Sequence, residues 1–278
     1  MACRASQALS EQAGKLAGVG VWVTRPIRQA GTLAQRIEEE GGHVIRLPVI
    51  AITDVDDRKP VMALMDRLND FDLAIFVSAN AVRKGLEYVG GAGNWPAQVR
   101  IAPIGKATEK ALEQIGLSCA FQPRPPYNSE SLLAVPELQT EVITGSRVII
   151  FRGVGGRALL GETLTARGAC VEYAEVYRRR LPQWVGTVPI PWNRIEVIVV
   201  TSGEGIENLF TMANDEERKR LLRTPLVVIS KRMAKLVKQS GSRCSPIVAD
   251  NASDAAILAA LHTWNANRPH EKSNALSE

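Results

Sequence analysis

Residues 146–180, SRVIIFRGVGGRALLGETLTARGACVEYAEVYRRR, contain the pattern that decides the predicted fold. The short apolar run VIIF at 148–151 is rich in β-branched residues and is typical of a buried strand. A glycine-rich turn follows at 152–157, and an apolar stripe after it predicts a helix that ends at Gly168. Alternating hydrophobicity at 170–176 predicts a second strand. The stretch is therefore one β-loop-α-β unit.

The loop after the first of these strands favours an anionic ligand. In open parallel sheets, ligands bind at the carboxyl ends of the strands, which is where this loop lies. Gly153 and Gly155 allow backbone N–H groups to face outward, and the N-terminus of the following helix points to the same place. Arg152 and Arg157 add a cation on each side of the loop.

The length and composition indicate a globular protein. The chain has 278 residues, enough for two domains, and it is 45% hydrophobic and 23% charged. No apolar run approaches the ~20 residues that a membrane-spanning helix needs. The start of the chain lacks the apolar core of a secretory signal, so we expect a cytoplasmic protein with no membrane contact.

The cysteines and histidines give no support for a metal site. The four cysteines lie far apart and form no Cys-x-x-Cys pair, which argues against zinc and against a disulfide framework. The three histidines form no i, i+4 pair and no His-Glu-x-x-His motif. We therefore expect no bound metal.

The net charge of +5 and the pI of about 9.1 leave two interpretations open. Basic residues are dispersed along the chain and no motif of a DNA- or RNA-binding domain is present, so we do not expect nucleic acid as a partner. A polyanionic small molecule fits the positive balance, and so does a slightly basic solvated surface. The sequence predicts no long apolar surface helix that another chain would have to cover, so we expect a monomer.

Strands alternate with helices along the whole chain, which predicts an α/β fold with largely parallel sheets. The pattern also repeats after about 125 residues, which indicates two similar domains with a ligand cleft between them. One irregularity is the predicted strand at 43–52, which is unusually long and contains Pro48. The corresponding positions of the repeat are Arg25 and Arg152, Ser78 and Ser202, and Ser129 and Ser253.

Hydroxyl, amide and cationic side chains follow many of the predicted strands. Each one alone is more typical of a helix cap than of a ligand group. Together they predict a sheet edge that is rich in hydrogen-bond donors, poor in carboxylates and suited to a large ligand with many negative groups. These residues are Arg25, Ser78, Asn80, Thr108, Arg152, Arg157, Thr201, Ser202, Ser230 and Lys231.

The glycine loop supports other interpretations. The motif Gly153-x-Gly155-x-x-Ala158 satisfies the dinucleotide fingerprint of an NAD(P)-binding oxidoreductase. An acidic residue for the ribose is available as Glu172 or Glu175. The flanking cations and the lack of an evident residue for hydride transfer argue against this activity. The loop also fits a glycine turn that is needed only for packing, and a protein that binds an anion without catalysis is a further alternative.

Eight short motifs follow one another along nearly the whole chain: TRP at 24–26, FVSANAV at 76–82, IGKAT at 104–108, NSES at 128–131, FRGVGGR at 151–157, RGA at 167–169, VYRR at 176–179 and VTSG at 200–203. In this ordered set the chain resembles the uroporphyrinogen-III synthase family. No single motif is decisive, but the set is specific. Val77 and Lys106 depart from many members of the family.

The resemblance implies two flavodoxin-like α/β domains, with mainly parallel sheets flanked by helices, joined by a two-stranded linker and separated by the active-site cleft. Domain 1 would be discontinuous and comprise residues 1–48 and 180–278, with domain 2, residues 54–171, inserted. Residues 47–53 and 172–179 would form the linker strands, which accounts for the unusually long predicted strand. Members of the family need no metal or organic cofactor, and none is expected here.

The resemblance also implies a reaction and its residues. The family cyclises the linear tetrapyrrole hydroxymethylbilane to uroporphyrinogen III, with loss of water and inversion of ring D. Tyr177 matches the family's catalytic tyrosine and would assist departure of the hydroxyl group. Because the substrate also closes without enzyme, but to the uninverted isomer, the protein must chiefly position the chain. A protein that binds a tetrapyrrole without catalysis is the alternative that this resemblance leaves open. The expected substrate-binding residues are Arg25, Ser78, Asn80, Thr108, Arg152, Gly153, Gly155, Arg157, Thr201, Ser202 and Ser230.

Overall fold

The computed structural model describes residues 14–268 of the chain. Tertiary contacts divide it into two compact units. Unit 1 contains the described residues of Met1–Ala51 and Leu181–Glu278, and unit 2 contains Ile52–Arg180. Most of the segment in which a secretory signal would lie is outside the described residues. Among residues 14–268, none of the helices combines the length and the apolar character needed to cross a lipid bilayer.

Residues 14–268 form ten strands and eleven α-helices. The strands are β1 (Gly20–Val23), β2 (His43–Arg46), β3 (Ala51–Thr53), β4 (Leu73–Phe76), β5 (Arg100–Pro103), β6 (Arg147–Gly153), β7 (Cys170–Arg180), β8 (Val197–Val199), β9 (Leu226–Val228) and β10 (Ile247–Val248). The helices are α1 (Ile27–Glu39), α2 (Lys59–Met65), α3 (Ala79–Val89), α4 (Lys106–Glu113), α5 (Ser129–Leu133), α6 (Thr140–Ile143), α7 (Leu159–Ala166), α8 (Gly203–Met212), α9 (Asp215–Leu221), α10 (Lys231–Gln239) and α11 (Asp254–Ala266).

In unit 1 the strands form one parallel sheet in the order β10-β9-β8-β1-β2. Counted along the chain, this is the flavodoxin order 2-1-3-4-5, in which the order reverses between β1 and β8. All residues of β1, β8 and β9 are buried, as expected for parallel strands that are covered on both faces.

In unit 2 the sheet has the order β3-β7-β6-β4-β5, and β4, β5, β6 and β7 pair in parallel. If β6 is counted as the first strand, β7-β6-β4-β5 repeats the order 2-1-3-4 of unit 1. The two units are therefore one type of α/β module, entered by the chain at different strands. The predicted α/β fold with mainly parallel sheets is confirmed.

Alternate side chains of β6 fill the two cores of unit 2. Val148 and Ile150 pack into one hydrophobic cluster, and Ile149 and Phe151 pack into the other. Phe151 also stacks on Phe76, with the ring centroids 4.5 Å apart. Because both faces of the strand are buried, every residue of the run must be apolar. This unbroken apolar run is the pattern from which the sequence predicts a buried strand.

One predicted strand differs from what is observed. The predicted strand at 43–52 is two strands, β2 and β3, because the segment around Pro48 leaves the ladder and proline has no N–H to donate. Residues 119–122, which follow α4, form no strand. The backbone N–H of Ala120 donates to the carbonyl of Ile101 on β5 at 2.8 Å, which is a single bond at the sheet edge.

Residues 172–179, predicted as a linker strand, lie within β7 and belong to the sheet of unit 2. The strand pairs with β6 from Cys170 onward, and the register shifts between Arg152 and Gly153. After the shift Gly153 pairs with Tyr177, so the pairing extends to the tyrosine that the family resemblance singles out.

Tryptophans anchor the long loop before β8 in unit 1. Trp22 on β1 is fully buried, and the rings of Trp184 and Trp192 pack edge-on against it with centroids 6.4 and 5.8 Å away. The indole N–H groups of Trp22 and Trp184 donate to the carbonyls of Leu47 and Pro48 at 2.6 and 2.7 Å. These bonds hold the segment that follows β2 against the loop.

Candidate active site

The strand order reverses at one place in each sheet, and many of the predicted ligand residues lie there. In open α/β sheets, ligands bind at the carboxyl ends of the strands at such a switch point. In unit 1 the segments after β1 and β8 carry Arg25 and Ser202. In unit 2 Gly153 ends β6, and Ser78 follows β4. Each unit therefore has a candidate binding edge of its own.

Tyr177 lies on β7 beside the switch point of unit 2, and its hydroxyl group contacts two polar side chains. The phenol oxygen is 3.2 Å from Ser78 Oγ, and Arg179 Nη2 donates to it at 3.3 Å. The guanidinium carbon of Arg179 is 5.6 Å from the centre of the ring. Tyr177 is only 1% exposed, so the phenol lies beneath the surface of unit 2 rather than on it.

The backbone of β6 brings Gly153 against the ring of Tyr177. The register of the two strands shifts by one residue at Gly153, which forms a bulge in β7. The N–H of Val154 donates to the carbonyl of Tyr177 at 2.9 Å and holds the two strands together there. The tyrosine ring occupies the space that a side chain at position 153 needs, so glycine is required for packing.

Ser78 connects the phenol to helix α3. It is the N-cap residue, and its Oγ accepts a hydrogen bond from the N–H of Ala81 at 3.0 Å. This bond orients the serine side chain, and the same oxygen contacts the hydroxyl of Tyr177. Ser78 is partly exposed and Tyr177 is buried, so the serine is the more accessible residue of the two.

The three arginines that the sequence predicts as substrate-binding all contact carboxylates. The side chains of Arg25 and Arg152 are only 11% and 13% exposed, whereas that of Arg157 is 67% exposed. The expectation of an edge poor in carboxylates is therefore wrong, because acidic partners arrive from other parts of the fold. The ion pairs are Arg25–Asp254 (2.6 Å), Arg152–Glu175 (2.8 Å) and Arg157–Glu130 (2.8 Å).

Arg152 is held on several sides. Its Nε and Nη2 donate to one carboxylate oxygen of Glu175 at 3.2 and 2.8 Å, and its guanidinium lies 3.9 Å from the centre of the Tyr173 ring. Nη1 donates to the carbonyl of Gly156 at 3.2 Å and so ties the arginine to the glycine loop. Arg152, Tyr173 and Glu175 border a cavity of about 430 Å³ in unit 2. An anionic ligand of Arg152 must therefore compete with Glu175.

The other predicted residues are spread over both units. The hydroxyl oxygens of Ser202 and Ser230 cap α8 and α10 by accepting backbone N–H groups at 2.9 and 3.3 Å. Thr108 is buried within the first turn of α4, Asn80 lies in the first turn of α3, and Thr201 precedes the cap of α8. The helix-cap interpretation thus holds for three serines, whether or not they also contact a ligand.

Gly155 differs from Gly153 in what it requires of the backbone. Its φ is 74°, in the left-handed region that favours glycine, and a Cβ atom there would meet nothing within 4 Å. The residue is exposed, whereas the neighbouring N–H groups of Val154 and Gly156 donate to carbonyls at 2.9 and 3.3 Å. The loop therefore presents fewer free N–H groups than its glycine content predicts.

Comparison with known proteins decides the family. The family model described as "Uroporphyrinogen-III synthase HemD" matches residues 31–259. The chain belongs to the uroporphyrinogen-III synthase family. The uroporphyrinogen-III synthase of Salmonella typhimurium is 35% identical over 251 residues, which cover 87% of this chain and 100% of the relative. The Escherichia coli uroporphyrinogen-III synthase is 34% identical over 248 residues, with the same shares covered.

Solved structures of uroporphyrinogen-III synthases share the fold. The Helicobacter pylori uroporphyrinogen-III synthetase is 16% identical and superposes with a TM-score of 0.57 over 88% of this chain and 98% of that one. A mutant uroporphyrinogen III synthase from Thermus thermophilus is 19% identical, with a TM-score of 0.55 over 88% and 99%. At these identities the likeness concerns the fold alone.

Membership of the uroporphyrinogen-III synthase family confirms the resemblance predicted from the eight motifs. It also confirms the prediction that the chain is an enzyme of tetrapyrrole biosynthesis. The dinucleotide-dependent alternative is not favoured. In the glycine loop that satisfies its fingerprint, Gly153 packs against the ring of Tyr177 and the carbonyl of Gly156 accepts a hydrogen bond from Arg152.

Two features of the site were missed by the sequence analysis. Arg179 was not singled out, although it lies two residues from Tyr177 on a predicted strand and such residues share one face. The carboxylate partners of the arginines were also missed. Arg25 and Asp254 are 229 positions apart, and no local pattern links them.

Proposed function

We propose that this chain cyclises hydroxymethylbilane to uroporphyrinogen III, with loss of water and inversion of ring D. The proposal is supported by membership of the synthase family and by one arrangement above all. The hydroxyl group of Tyr177 is held between Ser78 Oγ and the guanidinium of Arg179 at the switch point of unit 2. A phenol in such a place is a proton donor for a leaving hydroxyl group.

The reaction begins with protonation of the substrate's hydroxymethyl group, with Tyr177 as the source of the proton. The C–O bond breaks, water leaves, and an azafulvene electrophile remains. The substituted α-carbon of ring D attacks it, and the resulting spiro intermediate fragments and recombines with the ring inverted. Since the substrate closes by itself to the uninverted isomer, the enzyme must hold the chain in the conformation that favours the attack at ring D.

The carboxylate side chains of the substrate bind to the strand ends in this proposal. The backbone around Gly153 and Gly155 and the guanidinium groups of Arg25, Arg152 and Arg157 supply positive potential. Hydroxyl and amide groups at the same edges supply further donors, namely Ser78, Asn80, Thr108, Thr201, Ser202 and Ser230. Each arginine must exchange its present carboxylate partner for a carboxylate of the substrate.

We also propose a cytoplasmic monomer of two domains that binds neither nucleic acid nor membranes. Its domains would be 1–48 with 180–278, and 54–171, connected by 47–53 and 172–179. Light scattering of the purified protein at several concentrations tests the monomer. A mass that rises with concentration would contradict it.

The decisive experiment supplies freshly generated hydroxymethylbilane and measures the isomers of the oxidised products. We expect the type III isomer with the native protein and the type I isomer with heat-denatured protein. Substrate binding without any change in the isomer ratio would instead indicate a tetrapyrrole-binding protein. Type I as the sole product would overturn the proposed activity.

A further inference from the structure

The phenol of Tyr177 is enclosed, and its hydroxyl group has a more accessible neighbour. Tyr177 is 1% exposed, whereas Ser78 is partly exposed. Their oxygen atoms are 3.2 Å apart, close enough for a hydrogen bond in either direction. A proton that leaves the phenol therefore has Ser78 Oγ as a direct acceptor.

The hydrogen bonds of Ser78 suit it to pass a proton on. Its Oγ accepts from the N–H of Ala81 at 3.0 Å, which fixes the position of the oxygen at the start of α3. A serine hydroxyl has two lone pairs and one proton. When it accepts from both Ala81 and Tyr177, its own proton is free to be donated to a third group, such as the leaving hydroxyl of a substrate.

Arg179 contacts the phenol oxygen as a permanent donor. Arginine stays protonated and has no acceptor atoms, so the 3.3 Å contact is a hydrogen bond from Nη2 to the phenol. When Tyr177 gives up its proton, the guanidinium stabilises the negative charge left on the phenol oxygen. The side chain is placed for this task before the reaction begins.

We propose that Tyr177 delivers its proton to the substrate through Ser78, and that Arg179 is a positioning residue for the phenol; the inference rests on the proposed function. The phenol O–H bond breaks as Ser78 Oγ takes the proton. The serine's own proton passes to the leaving hydroxyl, and the C–O bond breaks to release water. The proton that the substrate loses as the ring closes returns to the phenolate by the same route.

Substitutions at Ser78 distinguish its proposed part in the proton transfer from Tyr177 to the substrate, here called the relay, from its role as a helix cap. Ser78→Gly removes the hydroxyl, but glycine is a tolerated N-cap residue, and Ser78→Asn retains the cap without an O–H group. We expect both variants to lower kcat about a hundredfold, as Tyr177→Phe does, and Ser78→Thr, which keeps an O–H group, to retain part of the lost activity. The variant with both Ser78→Gly and Tyr177→Phe should be no slower than either single variant, because each removes the same transfer.

The outcomes at Ser78 distinguish the relay from the proposed function. Wild-type kcat in Ser78→Gly together with slow Tyr177→Phe would overturn the relay and leave Tyr177 as the direct donor. Wild-type kcat in both variants would overturn the relay and the catalytic role of Tyr177. If the unmodified protein yields only the type I isomer, the proposed function itself fails.

The role of Arg179 is tested in two backgrounds. Arg179→Met should lower kcat about tenfold in the wild type and leave the rate of Tyr177→Phe unchanged, because the arginine acts through the phenol oxygen. Arg179→Lys should restore part of the loss. Arg180→Met is the matched control, because Arg180 is an exposed neighbour that pairs with Asp56. Equal losses from Arg179→Met in both backgrounds would overturn the role.

Single-turnover rates in mixtures of H₂O and D₂O distinguish proton transfer through Ser78 from a purely structural role of this residue. Two protons that move together give a curved dependence of the rate on the deuterium fraction. We expect this curvature in the wild type and its loss in Ser78→Gly. A linear dependence in the wild type means that one proton moves, and it would overturn the relay.

Discussion

Gly153 and Tyr177 pair across neighbouring strands, and a Cβ atom on Gly153 would lie 2.6 Å from Cε2 of the tyrosine ring. The next atoms, Cζ and the hydroxyl oxygen, would be 2.7 and 3.1 Å away. These distances are too short for any side chain at this position. The φ angle of Gly153 is not in the left-handed region, so contact with the ring is the reason for glycine here.

We expect Gly153→Ala to displace the ring of Tyr177 and to lower both stability and activity. Overpacking a buried contact of this kind costs about 1–3 kcal/mol in the free energy of unfolding. Moving the phenol also breaks its alignment with Ser78, so kcat should fall together with stability. Denaturant unfolding and initial rates of uroporphyrinogen III formation measure the two effects.

Gly156→Ala is the matched control in the same loop. A Cβ atom there would lie 3.4 Å from both the flexible side chain of Arg152 and the carbonyl oxygen of Gly153, which is ordinary van der Waals contact, and its nearest neighbours include no ring atom. We expect activity close to that of the wild type. If Gly156→Ala and Gly153→Ala were equally active, the tyrosine ring would tolerate the added methyl group, and the packing argument would fail.

Tyr177→Phe keeps the shape of the buried ring and removes its hydroxyl group. We expect kcat to fall about a hundredfold, because general acid catalysis by a positioned group contributes at least that much. The lost hydrogen bond should cost about 0.5–1.5 kcal/mol of stability. As the enzymatic rate falls, spontaneous closure contributes more, so the share of type I isomer should rise. Wild-type rates in this variant would show that the hydroxyl group of Tyr177 has no catalytic role and that the residue serves only in packing.

The modules of this fold are predictable from sequence because their signals are local. The apolar run at 148–151 must be a strand that is covered on both faces, and it is β6. Serines that follow strands predict helix starts, and Ser78, Ser202 and Ser230 all cap helices. Such patterns depend on neighbours within a few positions of the chain.

Registers and long-range pairs are not predictable in this way. The bulge that aligns Gly153 with Tyr177 depends on how two strands slide along each other. The partner of Arg25 is Asp254, 229 positions away, so this ion pair can be recognised only from the folded structure, in which α11 brings the carboxylate to the arginine. Arg179 is an exception, because the alternation of side chains along a strand places it on the same face as Tyr177.

The thiol of Cys119 should be resistant to alkylation. Burial, aided by the carboxylates of Glu109 and Glu113, raises the pKa of Cys119 to about 11. At pH 8 only about one molecule in a thousand then carries the thiolate, the form that reacts. Treatment with iodoacetamide and peptide mass spectrometry should show modification at the exposed Cys170 well before Cys119.

The pH dependence of this labelling provides the check. The rate at Cys119 should rise about tenfold for each pH unit as the pH approaches 11, because the thiolate fraction rises in proportion. Cys170→Ser removes the exposed competing thiol named above and should leave the rate at Cys119 unchanged. Rapid labelling of Cys119 at pH 8 in the folded protein would show that the pKa of its thiol is not raised.

The ion pair between Lys84 and Asp54 should stabilise unit 2 only above acidic pH. Lys84 lies on α3 with its side chain 11% exposed, and it contacts the carboxylates of Asp54 and Glu87. The hydrogen bond from Lys84 holds the pKa of Asp54 below its usual value. A lowered folded-state pKa means that the contribution is complete above about pH 4 and disappears as the pH falls through the folded pKa.

We therefore expect Asp54→Asn to destabilise the protein at neutral pH and not at low pH. The side chain of Asp54 is 54% exposed, so solvent screening limits the loss at pH 7 to less than about 1 kcal/mol. Denaturant unfolding of both proteins at pH 7, 5 and 3 should show the difference shrinking only at pH 3. A difference that is as large at pH 3 as at pH 7 would assign the effect to something other than the charge.

Glu175→Gln should strengthen the binding of substrate at Arg152. In the free protein Glu175 accepts two hydrogen bonds from Arg152, and a substrate carboxylate must replace it. Glutamine keeps the size of the side chain but removes its charge, so we expect KM to fall about threefold to tenfold with kcat unchanged.

Arg152→Gln should raise KM and weaken its dependence on salt. Glu130→Gln is the control, since its exposed pair with Arg157 is screened and KM should barely move. An unchanged KM in both Glu175→Gln and Arg152→Gln would remove Arg152 from the residues that bind the substrate.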